Sequence, residues 1–366
     1  MDLNGFKERS FGANLKHVAT MAWALGKHRV HQLRFGDRAF LRVLHDAPAV
    51  LLIAHHDKNF LPLHQALGAA PGYFIFTFWG TKESPAAIAA IRRLERKKRD
   101  RYPHHRYIFL CNTLEELRLI EEAGLTGIFC SNNCWIDEEL FRPDPAVAPC
   151  YDAVYDANLA AYKRHLLAAE VPNLALISFR HPVMFNGVYA RSVRRALAHA
   201  HWVNDPLSPE FRYLSTPEVV RTLQLSRVGL CLSASEGAMY ASIQYQLCGL
   251  PVVSTPSRGG RDVFYDDESV RIVAATPAAV RAGVEELLAR RPPAAEIRDR
   301  ALRKVWEHRG RFQALLQEIY DRHGTGLKVA KEWPRLFRHK LGLGDCSIRR
   351  TASQLAAGVP FTGEGQ

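Results

Sequence analysis

The sequence lacks the segments that mark membrane proteins and secreted proteins. No apolar run approaches the roughly 18–20 residues that a helix needs to cross a bilayer. The stretch from Met1 to Arg9 has no apolar core of the kind found in a signal peptide. The seven cysteines among 366 residues are odd in number and scattered, several of them within apolar, strand-like runs. They predict reduced, buried thiols instead of a disulfide framework, and we expect a cytoplasmic globular protein.

Signatures of metal sites and of dinucleotide sites are also scarce. Cys130 and Cys134 have the spacing of zinc ligands, but no second pair follows them, so buried or loop thiols are the favoured interpretation. We predict no metal site and no cofactor. No Gly-x-Gly-x-x-Gly follows a strand-like run, which argues against a dehydrogenase.

Acidic residues are outnumbered, with 37 Asp and Glu against 49 Lys and Arg, for a net charge of +12. This excess predicts an anionic partner, which composition alone leaves open among nucleic acid, an acidic membrane surface and phosphate-bearing small molecules. The most basic run, Arg92 to Arg101, lies on a predicted helix and fits either a solvated face or a membrane-docking face. Nucleic acid is an unlikely partner because no recognition motif accompanies the charge.

The length and the element pattern predict two α/β domains. A chain of 366 residues exceeds the size of one usual core, and strand-like and helix-like segments alternate along most of it. We expect two Rossmann-like domains facing each other across a cleft, over residues 1–145 and 151–310. A Pro-rich linker over 141–149 lies between them, a helical segment spans 311–345 and a loose tail spans 346–366. In such domains ligands bind at the carboxyl ends of the strands.

The most informative stretch runs from Val228 to Asp262. It predicts a strand, a Ser-rich loop, Glu236-Gly237, a helix, a second strand and a Gly259-Gly260 loop. The first-turn amides and the dipole of such a helix favour a phosphate. Glu236 repels phosphate and is better suited to bind hydroxyl groups. Gln244 lies eight residues further on, about 12 Å along a helix, so the two side chains are spaced to hold the two ends of one extended ligand.

This stretch resembles the donor-site signature of the GT-B glycosyltransferases, in particular their retaining family four. Glu236 to Met239, Gly249 to Val253 and Gly259-Gly260 match that signature in order and spacing, whereas Gln244 stands in place of its second glutamate. The similarity extends over most of the chain, through the segments 49–57, 74–80, 109–117, 133–143 and 155–165. In the last of these, Lys163 falls on the family's lysine and Asn158 on its arginine.

The resemblance implies roles for individual residues. Lys163 and the amides of Gly237 and Ala238 would hold the donor diphosphate, Glu236 the sugar and Gln244 the ribose. Asn158 and Gly260 would lie at the donor side, although Asn158 lacks the bidentate charge of the arginine it replaces. Candidates for facing the sugar or the acceptor are His55, His56 and Trp79. Alternatively, the two histidines simply end a strand, and Trp79 is an aromatic residue of the core.

The resemblance implies transfer of a sugar from a nucleotide-diphosphate donor to a hydroxyl of a glycan or lipid-linked acceptor, with retention, in the synthesis of cell-surface polysaccharide or glycoconjugate. No Asp-x-Asp occurs, which argues against a metal-bound diphosphate. The expected location is cytoplasmic, with the inner face of the membrane as a peripheral alternative.

Two other classes stay open. One is a catalytically silent relative that binds a nucleotide sugar or a glycan, suggested by Asn158 and Gln244. The other is a different reaction on the same scaffold, such as epimerisation or phosphorolysis. A phosphorylase would need a pyridoxal lysine, which absorbance would reveal.

Overall fold

The computed structural model describes residues 37–54, 59–181, 184–359 and 361. The first of two six-stranded sheets lies in the N-terminal half. Its strands from that half are β1 (Arg38–His45), β2 (Ala49–Ala54), β3 (Gly72–Thr77), β4 (His105–Cys111) and β5 (Thr126–Phe129), and its helices are α1 (Leu61–Leu67), α2 (Pro85–Arg99) and α3 (Leu114–Glu122). Strands β2 to β5 are parallel neighbours in chain order, and β1 runs antiparallel to β2.

The central strands of this sheet are buried on both faces. Every residue of β2 and of β3 is buried, as the continuous apolar runs of their sequences require. Along β2, Leu51 and Ile53 pack in a core with α1 and α2, whereas Val50 and Leu52 point into a second core shared with the C-terminal half. The sheet is therefore sandwiched, and its second face is closed by the other domain and by a long helix.

The C-terminal half contains a parallel sheet of the doubly wound type. Its strands are β6 (Tyr151–Asp156), β7 (Leu174–Ile177), β8 (His201–Trp202), β9 (Ser226–Cys231), β11 (Val252–Ser254) and β13 (Val270–Ile272), with a separate two-stranded pair of β10 (Ser235–Glu236) and β12 (Arg258–Gly259). Its helices are α4 (Gly187–Ala196), α5 (Thr216–Gln224), α6 (Tyr240–Leu247) and α7 (Pro277–Arg290).

The order of these strands is β13-β11-β9-β6-β7-β8, so the chain moves outward from β6 in one direction and then returns to build outward from β9 in the other. This is the Rossmann order, and its switch point lies between β6 and β9. The predicted fold of two Rossmann-like α/β domains is confirmed.

One long helix joins the two halves. Helix α8 (Ala294–Arg322) begins against the C-terminal domain, where Arg298 donates to the carbonyl of Leu247 at 2.6 Å. Further along, the buried Arg309 donates to both carboxylate oxygens of Glu138 at 2.8 Å. These charge-assisted hydrogen bonds fix the helix across the linker that follows the first sheet.

The chain after α8 returns to the first domain. It forms α9 (Val329–Leu336), a 3₁₀ turn (His339–Gly342), β14 (Gly344–Ser347) and α10 (Ile348–Ala356). Strand β14 pairs antiparallel with β1, and Ile348 is buried in the first core. A loose tail was predicted over 346–366, whereas residues 344–356 form a strand and a helix because β1 offers them an open sheet edge. No helix in the described parts of the chain is long and apolar enough to cross a membrane.

Candidate functional site

The candidate site lies at the switch point of the C-terminal sheet. The chain leaving β6 carries Asp156, Asn158 and Lys163, and the chain leaving β9 carries Glu236 and the residues that open α6. The carboxyl ends of β6 and β9 are adjacent because these strands pair directly. The topology thus brings together two groups of residues that lie about 75 positions apart in the sequence.

Glycines set the shape of the loop around Glu236. Strand β10 pairs in parallel with β12, and a Cβ on Gly259 would lie 1.8 Å from the carbonyl oxygen of Glu236. The amide of Gly260 donates to the carbonyl of Gly237 at 2.9 Å. Gly260 was predicted at the donor side, and the structure shows its amide already engaged, so it supports the loop through Gly237.

Lys163 and Glu236 form a buried ion pair. Their Nζ and Oε1 atoms are 2.5 Å apart, and each side chain is only 9% exposed. The ammonium also lies 5.1 Å from the centre of the Tyr162 ring, and the hydroxyl of Tyr155 donates to the carbonyl of Lys163. The pair sits at low dielectric, where removing one partner typically costs about 3–5 kcal/mol because the other charge is left buried and alone.

A cavity of about 340 Å³ lies beside this pair. Four of the residues predicted from the sequence line it, namely Asn158, Lys163, Ala238 and Gln244. The Nδ2 of Asn158 donates to the hydroxyl of Tyr162 at 3.1 Å, whereas its buried Oδ1 has no hydrogen-bond partner among the described residues. A buried polar atom left unpaired at a cavity wall is available to a ligand, since such atoms are nearly always satisfied in a working complex.

Helix α6 points its first turn at the same cavity. Its N-cap is Met239, whose side chain makes no capping hydrogen bond, and Ala238, Met239, Tyr240 and Ala241 all line the cavity. Uncapped amides at a helix N-terminus favour an anion through their N–H groups and the helix dipole. The helix begins at Tyr240, so Gly237 and Ala238 precede its first turn, and their role as phosphate-binding amides stays a prediction.

Two charged residues of this cavity escaped the sequence analysis. Asp156 ends β6 at the cavity wall, and desolvation raises the pKa of its carboxyl to about 6, although Lys340 and Lys163 oppose that rise. Lys340 comes from the 3₁₀ turn that follows α9. The position of Asp156 at a strand end was a usable signal, whereas nothing in the local sequence marks Lys340.

A second cavity, of about 370 Å³, adjoins the first on the side of the N-terminal domain. Trp79, predicted to face the acceptor, lines it and is 48% exposed, so it is not a core aromatic residue. Ala238, Tyr240 and Lys340 line both cavities. His55 and His56 lie outside the described residues.

The two domains touch between these cavities. A Cβ on Gly237 would lie 2.7 Å from the backbone carbonyl of Trp79, so the loop of Glu236 packs directly on the loop of Trp79. That second loop is held from behind, because the Nδ2 atoms of Asn112 and Asn132 both donate to the carbonyl of Phe78 at 2.9 Å. These buried hydrogen bonds therefore fix the position of the loop of Trp79, which forms the N-terminal side of the cleft.

The buried carboxylate of Glu116 also supports the loops on the N-terminal side of the cleft. Thr113 caps α3 by accepting from the amide of Glu116. The carboxylate of Glu116 accepts from the amides of Lys82 and Asn112 at 2.7 and 2.8 Å, so it does not return to the amide of Thr113. Desolvation raises the pKa of this buried carboxyl, and those two amides oppose the rise.

The cysteine pair noted in the sequence lines neither cavity. The Sγ atoms of Cys130 and Cys134 are 3.9 Å apart, and both side chains are buried. Desolvation raises the pKa of Cys134, which favours the neutral thiol. In the described part of the chain, no group of three or more His, Cys, Asp or Glu side chains is placed to hold a metal ion.

The comparisons with known proteins identify the fold. No family model and no curated protein sequence matches the chain. Among solved structures, Anabaena Alr3699/HepE in complex with UDP and glucose shares 14% identity over 75% of this chain and 78% of its own, with a TM-score of 0.50.

Two further structures agree. Sucrose-phosphate synthase from Thermosynechococcus elongatus shares 11% identity over 79% of this chain and 73% of its own, with a TM-score of 0.50. The pneumococcal O-GlcNAc transferase GtfA, in complex with UDP and GlcNAc, shares 12% identity over 73% of this chain and 56% of its own, also at 0.50. The chain has the GT-B fold. At these identities the likeness concerns the fold alone.

Proposed function

We propose that this protein is a glycosyltransferase that moves a sugar from a nucleotide-diphosphate donor to an acceptor hydroxyl. The observation that carries the proposal is the convergence of Asn158, Lys163 and Gln244 on one cavity at the Rossmann switch point, where Glu236 is held by its ion pair with Lys163. Similar folds occur in Alr3699/HepE and GtfA, whose structures contain UDP, and this supports a nucleotide sugar as the donor.

In this proposal the donor lies in the cavity of about 340 Å³. Its diphosphate faces the first turn of α6 and Lys163, its sugar hydroxyls bind the carboxylate of Glu236, and its ribose binds the amide of Gln244. Glu236 and Lys163 hold each other in place before the donor arrives, so neither charge has to be desolvated or oriented during the reaction.

The adjoining cavity of about 370 Å³, with Trp79 on its wall, is the proposed acceptor side. The bond between the anomeric carbon and the β-phosphate oxygen breaks, and a bond from that carbon to the acceptor oxygen forms. The departing phosphate oxygen takes the acceptor proton, and the nucleoside diphosphate leaves. Attack on the face from which the phosphate departs gives retention. The fixed amides and Lys163 stabilise the charge that develops on the diphosphate.

The acceptor in this proposal is a glycan or a lipid-linked sugar. Support for a lipid-linked acceptor comes from α2, on which Arg92, Arg93, Arg96, Lys97 and Arg99 are exposed around the exposed Leu94. Each basic residue near an anionic surface is worth about 1 kcal/mol. Sedimentation with vesicles of anionic and of neutral lipids tests this face, and equal binding to both vesicle types would argue against membrane docking.

A thermal-shift screen against UDP-, GDP-, ADP- and dTDP-sugars tests the donor, because a ligand of the native state raises the midpoint of unfolding. The donor that stabilises the protein is then incubated with it, and release of nucleoside diphosphate is measured for the wild type, Glu236→Gln and Lys163→Met. We expect each variant to lose turnover by at least about 100-fold, the scale of one lost transition-state hydrogen bond. Unchanged turnover in both variants would overturn the assigned roles.

The second candidate function is a silent relative that binds a nucleotide sugar without transferring it. Asn158, which is neutral, and the mutual compensation of Lys163 and Glu236 favour it, because both lower the positive charge available to a departing diphosphate. Binding by the wild type with no release of nucleoside diphosphate, with or without a mixture of glycan acceptors, would support this candidate over the enzyme.

A further inference from the structure

The turn that follows α9 has an unusual backbone. Lys340 and Leu341 are consecutive non-glycine residues with φ angles of 52° and 71°. Such residues are strained and persist only where the surroundings enforce them. Here Leu341 is buried in the core, and the Nδ1 of His339 accepts from the amide of Asp137 at 3.1 Å.

The protonation state of His339 agrees with that contact. Burial, with a smaller contribution from the nearby Lys340, lowers the pKa of His339 to about 4. Its imidazole is therefore neutral at pH 7 and able to accept the hydrogen bond from Asp137. The turn is held in place on one side by this bond and on the other by the buried Leu341.

This turn places Lys340 in the cleft. Lys340 lines both cavities, and its Nζ lies 5.7 Å from the centre of the Tyr240 ring, in the first turn of α6. The residue is exposed, and among the residues that the structure describes it has no ion pair within 4.0 Å. Its ammonium thus lies near the first turn of α6 without a partner carboxylate among the described residues.

The charges around the donor cavity show why a further cation matters. The positive charge of Lys163 is compensated by Glu236 at 2.5 Å, and Asn158 is neutral where the resemblance expects an arginine. Asp156 adds a negative charge whenever it is ionised. Without Lys340, the described side chains that line this cavity offer a diphosphate no uncompensated positive charge.

We propose that Lys340 is a phosphate ligand, supplied to the donor cavity by the segment that returns to the N-terminal domain, and that it takes the place of the arginine absent at Asn158. The inference rests on the proposed function, since it assigns a further residue to the same donor site. The ammonium donates to the terminal phosphate while the amides of α6 hold the other side. Because contacts with both domains hold the turn, they also fix the position of the Lys340 ammonium in the cleft.

Isothermal calorimetry on the full chain tests this assignment. The probes are UDP, GDP, ADP and dTDP, their four nucleosides, and inorganic pyrophosphate. The variants are Lys340→Gln, Lys340→Arg and, as a matched control, Lys331→Ala, which removes an exposed lysine from α9. Circular dichroism and the urea midpoint of each variant establish that it is folded.

We expect Lys340→Gln to weaken binding of the preferred nucleoside diphosphate by about 10- to 100-fold, the range of one charge-assisted hydrogen bond. Binding of the parent nucleoside stays unchanged, the dependence of diphosphate affinity on salt becomes shallower, and Lys340→Arg retains most of the affinity. A merely structural role would weaken nucleoside and diphosphate alike. Lys331→Ala binds as the wild type does.

The outcomes separate this inference from the proposed function. Equal diphosphate affinity in Lys340→Gln and the wild type overturns the role of Lys340 and leaves the donor site intact. Binding of pyrophosphate that depends on Lys340, with no nucleotide bound, supports the phosphate ligand and refutes the nucleotide-sugar donor. A wild type that binds none of these probes refutes both.

Discussion

Asp156 allows the electrostatics of the cleft to be tested without knowledge of any substrate. Its carboxyl ends β6 at the cavity wall, where desolvation raises the pKa from 3.8 to about 6 in spite of Lys340 and Lys163. A raised pKa means that the folded protein holds this proton more tightly than the unfolded chain does. The contribution of Asp156 to the free energy of unfolding is therefore greatest at low pH and is lost as the pH rises from about 4 through about 6.

The magnitude follows from the two pKa values. Ionisation of Asp156 costs the folded state about 1.6 kcal/mol at pH 5 and about 3 kcal/mol at pH 8, by linkage from 3.8 and about 6. The variant Asp156→Asn removes this cost at both pH values. Its stability relative to the wild type should therefore increase by about 1.4 kcal/mol between pH 5 and pH 8.

Urea unfolding followed by tryptophan fluorescence at pH 5 and pH 8 measures this difference. Every other group titrates alike in both proteins, so its contribution cancels when the variant is compared with the wild type. A difference that is the same at the two pH values, or that shrinks at pH 8, would refute the argument that the cavity wall desolvates Asp156. We also expect nucleoside diphosphate to bind Asp156→Asn more tightly than the wild type at pH 8, with little difference at pH 5.

Two further predictions concern the cleft. Lys163→Met and Glu236→Gln should each destabilise the protein by about 3–5 kcal/mol, because each leaves one buried charge unpaired. The double variant should recover most of that loss. Urea unfolding measures the three variants, and additive losses would contradict the prediction. Gly237→Ala should destabilise the protein by about 1–3 kcal/mol, because its Cβ would lie 2.7 Å from the backbone of Trp79. The control Gly80→Ala, with no atom within 4 Å of the added Cβ, should change stability by less than about 0.5 kcal/mol. Equal effects of the two substitutions would show that the loops are not in contact.

The regular part of the fold was predictable because its signals are local. The short, largely apolar runs of β2 and β3 indicate buried strands without reference to distant residues. The sequence from Val228 to Asp262 likewise specifies its own strand, loop and helix. Lys163, Glu236, Asn158 and Gln244 were predicted as donor-site residues from the family resemblance, and their role stays a prediction.

The missed features depend on partners far away in the sequence. Strand β14 reads Gly-Asp-Cys-Ser, which has no intrinsic preference for extended structure, and it becomes a strand because β1 leaves an edge unpaired. Lys340 lies in a turn whose left-handed residues are enforced by packing of Leu341. The neighbouring residues of the sequence indicate neither feature, so local sequence patterns do not predict β14 or the turn at Lys340.

The pairing of β14 with β1 also constrains the order in which this protein can fold. Arg38 pairs with Ser347, so the first sheet is closed only by a segment more than 300 residues later. During synthesis, which proceeds at about 5–20 residues per second, the edge of β1 waits for tens of seconds before its partner emerges. Throughout that interval the nascent chain presents an open strand edge of the kind that pairs with other chains, so the risk of aggregation lasts until β14 has been made.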